Sequence, residues 1–184
     1  VLAAPLENRV VATVTREVTL VRTPAGESTL GNLIADAHLH SAAAPEKGGA
    51  VIAFNNPGSL RAPIIPAADG SVKYGELFKA QPFQNDLISM NLTGSQIKAL
   101  LEQQFSANKR PEVLGVSAGF SYTWDASRPQ GDKVLAGSMR LAGQPILPDL
   151  QYRVVANSFI AGGSEGMTVF RQGTERQVGV LDLE

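Results

Sequence analysis

Cysteine is absent from the 184 residues of this chain, which excludes disulfide bonds and thiolate metal sites within it. A surplus of either charge is also missing, because 16 basic residues stand against 17 acidic ones. The chain therefore lacks the positive field of a non-specific nucleic-acid binder, and we expect no nucleic-acid polymer as a partner. No apolar run approaches the ~20 residues of a membrane-spanning helix. With 43% hydrophobic and 18% charged residues, the composition is that of a globular domain with a sizeable core.

Hydrophobic patterning predicts strands and helices that interrupt one another irregularly. Alternating or continuously apolar runs indicate strands at residues 10–21, 50–54, 86–92, 119–125, 134–141 and 151–157. Helical periodicity predicts helices within residues 27–43, 71–83 and 93–108. Because strands come partly in pairs rather than alternating strictly with helices, we expect a single α+β domain whose mixed β-sheet is flanked by helices.

Capping signals mark several helix starts. Ser28 or Thr29 is a suitable N-cap for the first helix, and Thr93 with Gln96 forms a capping box for the third. Near the end of the chain, Asp182 has the residue type of an N-cap, so we expect a last helix that is truncated. In the first helix, the periodicity predicts a core-facing stripe at Leu30, Leu33, Ile34, Ala37 and Ser41.

Three polar loops carry residue types that suit a small anionic ligand with a flat ring. The loop "AFNNPGSLRAPI", residues 53–64, places Arg61 after a glycine-containing turn, where a guanidinium and backbone N–H groups can meet an anionic oxygen. The loops "AQPFQND", residues 80–86, and "NSFIAGGSEGM", residues 157–167, set Phe83 and Phe159 among amides, and the latter also contains Glu165. Aromatic faces stack on heterocycles, and a carboxylate can accept hydrogen bonds from a vicinal diol.

Each of these loop features also has a purely structural explanation. Arg61 could be a solvated residue of a surface turn, since such turns are common. Phe83 and Phe159 could each fill the core beneath its own loop, which is the more frequent role of a single phenylalanine. The residues alone leave both explanations open.

A catalytic two-metal centre is not expected in this chain. Such centres need several His, Asp and Asn ligands around ions ~3.5–4 Å apart. The only histidines are His38 and His40, and positions i and i+2 of a helix point to different sides. We therefore assign both a structural or surface role, and we expect the chain to bind its ligand without hydrolysing it.

Taken together, six ordered motifs resemble the C-terminal domain of the 5'-nucleotidase family, which includes UDP-sugar hydrolases, 2',3'-cyclic phosphodiesterases and ecto-5'-nucleotidases. "NNPGSLR" is similar to the family's Asn-x-Gly-Gly-x-Arg loop, "AQPFQNDL" to its x-Pro-Phe-Gly-Asn segment, and "NSFIAGGSEGM" to its Asn-x-Phe-x-x-x-Gly-Gly-Asp-Gly loop. "ESTLGNLIADAHLHSA" looks like the first helix, "LTGSQIKALLEQQF" like the Thr-Gly helix, and "VSAGFSYTWDASRPQGDKV" like the stretch that follows it. The resemblance runs from about residue 14 to residue 182.

The resemblance implies a role for each loop residue, because this domain binds the nucleoside of the substrate in that family. Phe83 and Phe159 would sandwich the base, and Arg61 would meet the phosphate. The substrate-binding positions carried over are Arg61, Phe83, Phe159, Asn56, Asn85, Glu165, Arg22, Gly58 and Gly163. Among them, Asn56 or Asn85 would hydrogen-bond the edge of the base, Glu165 would hold the ribose hydroxyls, and Arg22 would assist Arg61.

Several positions depart from the family pattern. Ser59 stands in place of the second glycine of the first loop, Gln84 in place of glycine in the second, and Ser164 in place of a glycine in the third. Glu165 replaces the expected aspartate and is one methylene longer. Val18 occupies the position of a second upstream arginine, so phosphate binding is expected to be weaker or arranged differently.

The resemblance also implies a domain organisation. Residues 1–8 would be the remnant of a linker from an N-terminal metallophosphoesterase domain, and residues 9–184 the substrate-binding domain. The N-terminal domain would hold two divalent metal ions and do the chemistry, this domain would bind no cofactor, and the protein would be periplasmic, secreted or at the cell surface. Two alternatives remain: the same fold serving a non-nucleotide hydrolase such as a thiosulfohydrolase, and a non-catalytic nucleotide-binding module.

Overall fold

The computed structural model describes residues 4–105, 111–135 and 137–182. Its α-helices are α1 (Ala4–Glu7), α2 (Thr29–Ala42), α3 (Tyr74–Ala80), α4 (Gly94–Glu102) and α5 (Ser158–Ala161). Its strands are β1 (Val10–Thr13), β2 (Ile52–Asn55), β3 (Ser71–Lys73), β4 (Asp86–Thr93), β5 (Gly115–Val116), β6 (Phe120–Ser121), β7 (Arg140–Leu141), β8 (Gln144–Pro145), β9 (Gln151–Asn157) and β10 (Thr174–Leu181). Within the described residues, no helix is long and apolar enough to cross a membrane.

A five-stranded mixed sheet forms the centre of the fold. Its strand order is β10-β4-β9-β2-β5, in which β2 and β9 are parallel and the other neighbours are antiparallel. Strands β4 and β9 pair along their whole length, from Leu87 opposite Asn157 to Thr93 opposite Gln151. A two-stranded sheet of β1 and β3 and a three-stranded sheet of β6, β7 and β8 accompany it. The predicted α+β domain with a mixed sheet is confirmed.

Both faces of the central sheet are covered, as the alternation of side chains along β2 shows. Ile52 and Phe54 point to a cluster that contains Ile97 and Leu100 of α4, whereas Ala53 points to the opposite face, where α2 lies. All four residues of β2 are buried. A strand buried on both faces reads as a continuous apolar run, which is why residues 50–54 were recognisable.

Helix α2 packs on the sheet through small side chains, so the predicted stripe is only partly correct. Leu30 is buried and Ile34 packs against a core cluster, whereas Leu33 and Ala37 are exposed. The buried positions of the helix are Leu30, Gly31, Ala35, His38 and Ala42, and Leu33 is 41% exposed. Ala35 and Ala42 meet Ala50, Ala53, Leu87 and Val155 of the sheet layer. The prediction was wrong at Leu33 because it gave a large apolar side chain priority over the alanines that face the sheet.

The predicted N-caps of α2 and α4 are confirmed. Ser28 is the N-cap of α2, and its hydroxyl accepts from the Gly31 N–H. Thr93 and Gln96 form the complete capping box of α4. Helix α4 ends at Glu102, earlier than predicted, and residues 106–108 of the predicted helix lie outside the described residues.

The strand predictions were wrong in three regions. Of the predicted strand at residues 10–21, only Val10–Thr13 form a strand, followed by a single bridge between Val18 and Ile64. In place of long strands at 119–125 and 134–141, the described residues form the two-residue strands β6 and β7 and a bridge between Trp124 and Val134. The eight-residue strand β10 was not predicted, because most of its residues are exposed at the edge of the sheet and show no apolar alternation. Asp182 follows this strand, and residues 183–184 lie outside the described residues.

Candidate functional site

A cavity of about 250 Å³ lies where the three polar loops meet, slightly below the ~300–1,000 Å³ that is typical of small-molecule sites. The first loop follows β2, the second joins α3 to β4, and the third follows β9. Seven of the nine predicted binding residues line the cavity, together with two that were not predicted. The lining consists of Asn56, Gly58, Ser59, Arg61, Phe83, Asn85, Asn157, Phe159 and Glu165.

Backbone and buried side chains hold the first loop in place. The Arg61 N–H donates to the Ala80 carbonyl over 2.8 Å, which connects the first loop to the end of α3. Leu60 is buried in a cluster with Leu30 of α2. The Ser59 hydroxyl lies 3.0 Å from Asn55 Oδ1 and 2.9 Å from the Asn56 carbonyl oxygen, and it can donate its single proton to either. Serine at this position therefore gives the turn an additional hydrogen bond, which a glycine would not make.

A chain of amide hydrogen bonds joins the first and third loops. Asn157 Nδ2 donates to Asn56 Oδ1 over 2.9 Å, and Asn56 Nδ2 donates to Glu165 Oε1 over 2.9 Å. Asn157 Oδ1 also caps α5 by accepting from the Ile160 N–H. Both asparagines are 1% exposed. The oxygen and the nitrogen of the Asn56 amide thus each have a partner within the protein, and the amide links Asn157 to Glu165.

Glu165 lies in a left-handed backbone conformation with φ 56°. Two residues earlier, Gly163 has a φ of 85°, a backbone conformation that favours glycine. Gly58 leaves room for the Glu165 carboxylate, because a Cβ at this position would overlap Glu165 Oε1 and the carboxylate would have to move. Burial raises the pKa of the Glu165 carboxyl, and the hydrogen bond from Asn56 and the nearby Arg61 partly oppose this effect.

Arg61 and Phe83 form a stacked pair at the cavity. The Arg61 guanidinium carbon lies 4.9 Å from the centroid of the Phe83 ring, which is within cation–π range. The Arg61 side chain is exposed, and no carboxylate among the described residues lies within ion-pair distance of it. The guanidinium therefore keeps its N–H donors available at the cavity.

The two phenylalanines lie at the cavity rather than beneath it. Phe159, in the short helix α5, is 48% exposed, and Phe83 is partly buried. Neither belongs to the hydrophobic clusters of the core. This excludes the explanation in which each ring fills the core under its loop.

The structure does not bring Arg22 and Gly163 into the lining of the cavity. Arg22 donates to the Pro111 carbonyl and forms an ion pair with Glu112 at 3.4 Å. It lies instead beside a small separate void that is also lined by Asn55. Gly163 packs against Arg171, and a Cβ at this position would overlap the Arg171 side chain.

Two residues that hydrogen-bond the asparagines of the cavity were not predicted to do so from the sequence. Asn157 begins the third loop and no role was predicted for it, although an asparagine three residues before Ile160 is a recognisable N-cap. Asp182 accepts hydrogen bonds from the backbone N–H and the side-chain amide of Asn85, one at each carboxylate oxygen, and the helix that it was expected to begin would lie outside the described residues. Nothing in the sequence near Asp182 signals that contact.

The histidines are placed as structural and surface residues. His38 is 1% exposed, and His40 lies on the exposed side of α2. Across the ranges that the structure describes, no group of three or more His, Asp or Glu residues could hold a metal ion.

A larger groove of about 680 Å³ lies apart from this cavity, between α2 and strands β5 and β6. Its two carboxylates are already hydrogen-bonded within the protein. Asp36 Oδ1 accepts from the Ala118 N–H, and Glu27 Oε2 accepts from Asn32. The groove contains none of the predicted binding residues, so the smaller cavity is the better candidate site.

The fold and the cavity define a class of protein: an α+β domain that presents an arginine, a carboxylate and two aromatic rings from three loops. Comparison with known proteins places it more narrowly. Residues 10–172 match the family described as 5'-nucleotidase, C-terminal domain. The chain belongs to this family, as the motifs indicated.

Relatives and solved structures agree with this assignment. The chain is 36% identical over 167 residues to the trifunctional nucleotide phosphoesterase protein YfkN of Bacillus subtilis, covering 86% of this chain and 11% of that protein. It is 31% identical over 152 residues to the cell wall protein Lmo0130 of Listeria monocytogenes, covering 79% and 19%. The 5'-nucleotidase precursor of Thermus thermophilus superposes with a TM-score of 0.79 at 33% identity, covering 98% of this chain and 36% of that one.

The shared region is a minor part of each of these proteins. The chain spans about a tenth of the length of YfkN and about a third of the Thermus thermophilus nucleotidase precursor. The fold also occurs in the sulfate thiohydrolase SoxB of Thermus thermophilus, with a TM-score of 0.68 at 20% identity. The fold alone therefore does not identify the ligand.

Proposed function

We propose that this chain is the nucleotide- or nucleoside-binding domain of an exported, metal-dependent 5'-nucleotidase-type phosphohydrolase. The observation that carries the proposal is the convergence of Arg61, Phe83, Phe159 and Glu165 on one cavity. A nucleotide offers a flat base, a vicinal diol and a phosphate, and each of these has a chemical partner among the four side chains.

The aromatic pair would bind the base. Phe83 and Phe159 both line the cavity, and neither is used by the core. Stacking a base on an aromatic side chain contributes ~1–3 kcal/mol and tolerates any base, so the pair supplies affinity rather than selectivity. Their presence favours a nucleotide over the substrate of a thiosulfohydrolase-like enzyme, which has no ring to stack.

Arg61 would bind the phosphate and Glu165 the ribose. Arg61 lies against Phe83, so the stacking surface and the phosphate-binding group are side by side. Glu165 Oε1 already accepts from Asn56, which leaves Oε2 to accept from a ribose hydroxyl. Arg22 would not assist, because its guanidinium is bound to Glu112 and Pro111.

Hydrolysis would take place on a separate N-terminal domain. Two divalent metal ions there would supply the activated water, and this domain would position the phosphate ester and contribute the charge of Arg61. The similarity to a cell wall protein supports export. By itself this chain would bind nucleotides without turnover.

The proposal is tested by NMR titration of the chain with AMP, adenosine and inorganic phosphate. We expect amide shifts around Phe83, Phe159 and Arg61 on addition of AMP. Phe159→Ala should weaken AMP binding by about 5- to 100-fold, the equivalent of a lost stacking contact, and should leave phosphate binding unchanged. Leu147→Ala, at an equally exposed apolar position outside the cavity, is the matched control.

The proposed role of Arg61 in phosphate binding is tested by the same NMR titration. Arg61→Gln should weaken AMP and inorganic phosphate, and should affect adenosine much less. Arg16→Gln removes the same charge from an exposed position that does not line the cavity and should change nothing. A folded chain that shows no shifts with any of the three ligands would contradict the proposal and favour the non-nucleotide alternative.

A further inference from the structure

Asp182 is hydrogen-bonded to Asn85, one of the residues that line the cavity. The Asn85 backbone N–H donates to Asp182 Oδ1 over 3.2 Å, and Asn85 Nδ2 donates to Asp182 Oδ2 over 3.0 Å. The Asp182 N–H returns a bond to the Asn85 carbonyl over 2.8 Å. Asp182 is 8% exposed and also accepts from Gln81 Nε2. It lies beyond residues 10–172, where the match to the family ends.

This contact determines which way the amide of Asn85 faces. An ionised carboxylate can only accept hydrogen bonds, so the nitrogen of the amide must point to Asp182 and the oxygen must lie on the other side. No described residue donates to Asn85 Oδ1. Asp182 does not line the cavity, whereas Asn85 does, which leaves Oδ1 as the group that a ligand can reach.

Of the two asparagines expected to read a base, Asn85 is the one whose amide oxygen accepts no hydrogen bond from a described residue. The amide of Asn56 is bonded at both ends, to Asn157 and to Glu165. An unrestrained asparagine could rotate its amide by half a turn and accept either an amino or a carbonyl group on the base. An asparagine held by a carboxylate cannot do so without losing a charge-assisted hydrogen bond.

We propose that Asp182 is a positioning residue that fixes Asn85 Oδ1 as a hydrogen-bond acceptor toward the base. The site then selects bases that carry an amino group, such as adenine and cytosine, over hypoxanthine and uracil, which carry a carbonyl at the same place. This inference rests on the proposed nucleotide-binding function and adds selectivity to it.

The test measures the affinity of the 184-residue chain for AMP, IMP and ribose 5-phosphate, with CMP and UMP as a second matched pair. AMP should bind about tenfold more tightly than IMP, which corresponds to one hydrogen bond gained against one acceptor left unpaired. Asp182→Asn should reduce this ratio toward one, because the new amide can donate or accept and no longer fixes Asn85. Affinity for ribose 5-phosphate should be unchanged, since it carries no base.

Two further variants separate positioning from a loss of structure. Asn85→Ala leaves Asp182 in place and should also abolish the AMP preference. Asp149→Asn makes the same substitution at an exposed position outside the cavity and should preserve it. The side-chain NH₂ signals of Asn85 should shift in Asp182→Asn, while the amide spectrum of the core stays the same.

The outcomes separate this inference from the function on which it rests. A folded chain that binds no nucleotide overturns the proposed function. Binding of AMP and IMP with equal affinity, or a preference for IMP, overturns the inference alone. So does an AMP preference that survives either Asp182→Asn or Asn85→Ala.

Discussion

Acidification is expected to destabilise this domain through His38, the buried histidine of helix α2. Burial lowers the pKa of His38 to about 4, and the nearby backbone of Asp182 acts in the opposite direction. Neither ring nitrogen makes a hydrogen bond with a described residue. The folded state therefore accommodates the neutral ring and disfavours the charged one.

The size and sign of the effect follow from linkage. As the pH falls below about 6.5 the unfolded chain takes up a proton at this histidine, whereas the folded chain does so only near pH 4. The contribution of His38 to the free energy of unfolding should therefore decrease as the pH falls between these two values and level off below pH 4. A pKa lowered from 6.5 to about 4 corresponds to about 3 kcal/mol, since one pKa unit is worth about 1.4 kcal/mol.

Urea denaturation between pH 4 and 7.5 measures this effect, and His38→Gln isolates it. Burial raises the pKa values of Glu165 and Asp182, so their protonation stabilises the folded state on acidification and opposes the histidine. The difference between wild type and His38→Gln cancels these contributions. We expect it to change by about 3 kcal/mol across the range, with His40→Gln as the matched control on the same helix. A pH-independent difference would refute the reasoning.

Three further predictions concern the site and its supports. Gly58→Ala should weaken AMP binding several-fold in the NMR titration, because the added methyl group displaces Glu165; unchanged affinity would show that Glu165 does not contact the ligand. Asn157→Ala should lower the free energy of unfolding by about 1–2 kcal/mol, whereas Asn157→Asp keeps the helix cap but should still weaken AMP binding, because it cannot donate to Asn56. Thr93→Ala should cost about 1 kcal/mol in urea denaturation through loss of the capping box, without affecting ligand binding.

Several parts of the fold were predictable because their signals are local. The N-caps Ser28 and Thr93 lie within three residues of the N–H groups that they bind. Strands β2, β4 and β9 are buried over most of their length and stand out as apolar segments. The loops between them were recognisable from their motifs, and seven of the nine predicted residues line one cavity.

Other parts were not predictable because their determinants lie far away along the chain. Strand β10 is mostly exposed, and only its pairing with β4 makes it a strand. The buried face of α2 depends on the residues that it meets, Ala50, Ala53, Leu87 and Val155, and the periodicity of the helix itself does not show them. Arg22 matched a family position, yet the structure pairs it with Glu112, 90 residues away.

By itself, the sequence determined the α+β class, the caps, the buried strands and the types of residue that the three loops offer. Only the tertiary structure decided which of those residues meet and which hydrogen-bonding group of each is left for a ligand. Asn56 reaches Glu165 across 109 positions and Asn85 reaches Asp182 across 97. The physical reason is that an amide can donate or accept in either orientation. Its direction is chosen by a partner that the sheet order β10-β4-β9-β2-β5 brings beside it.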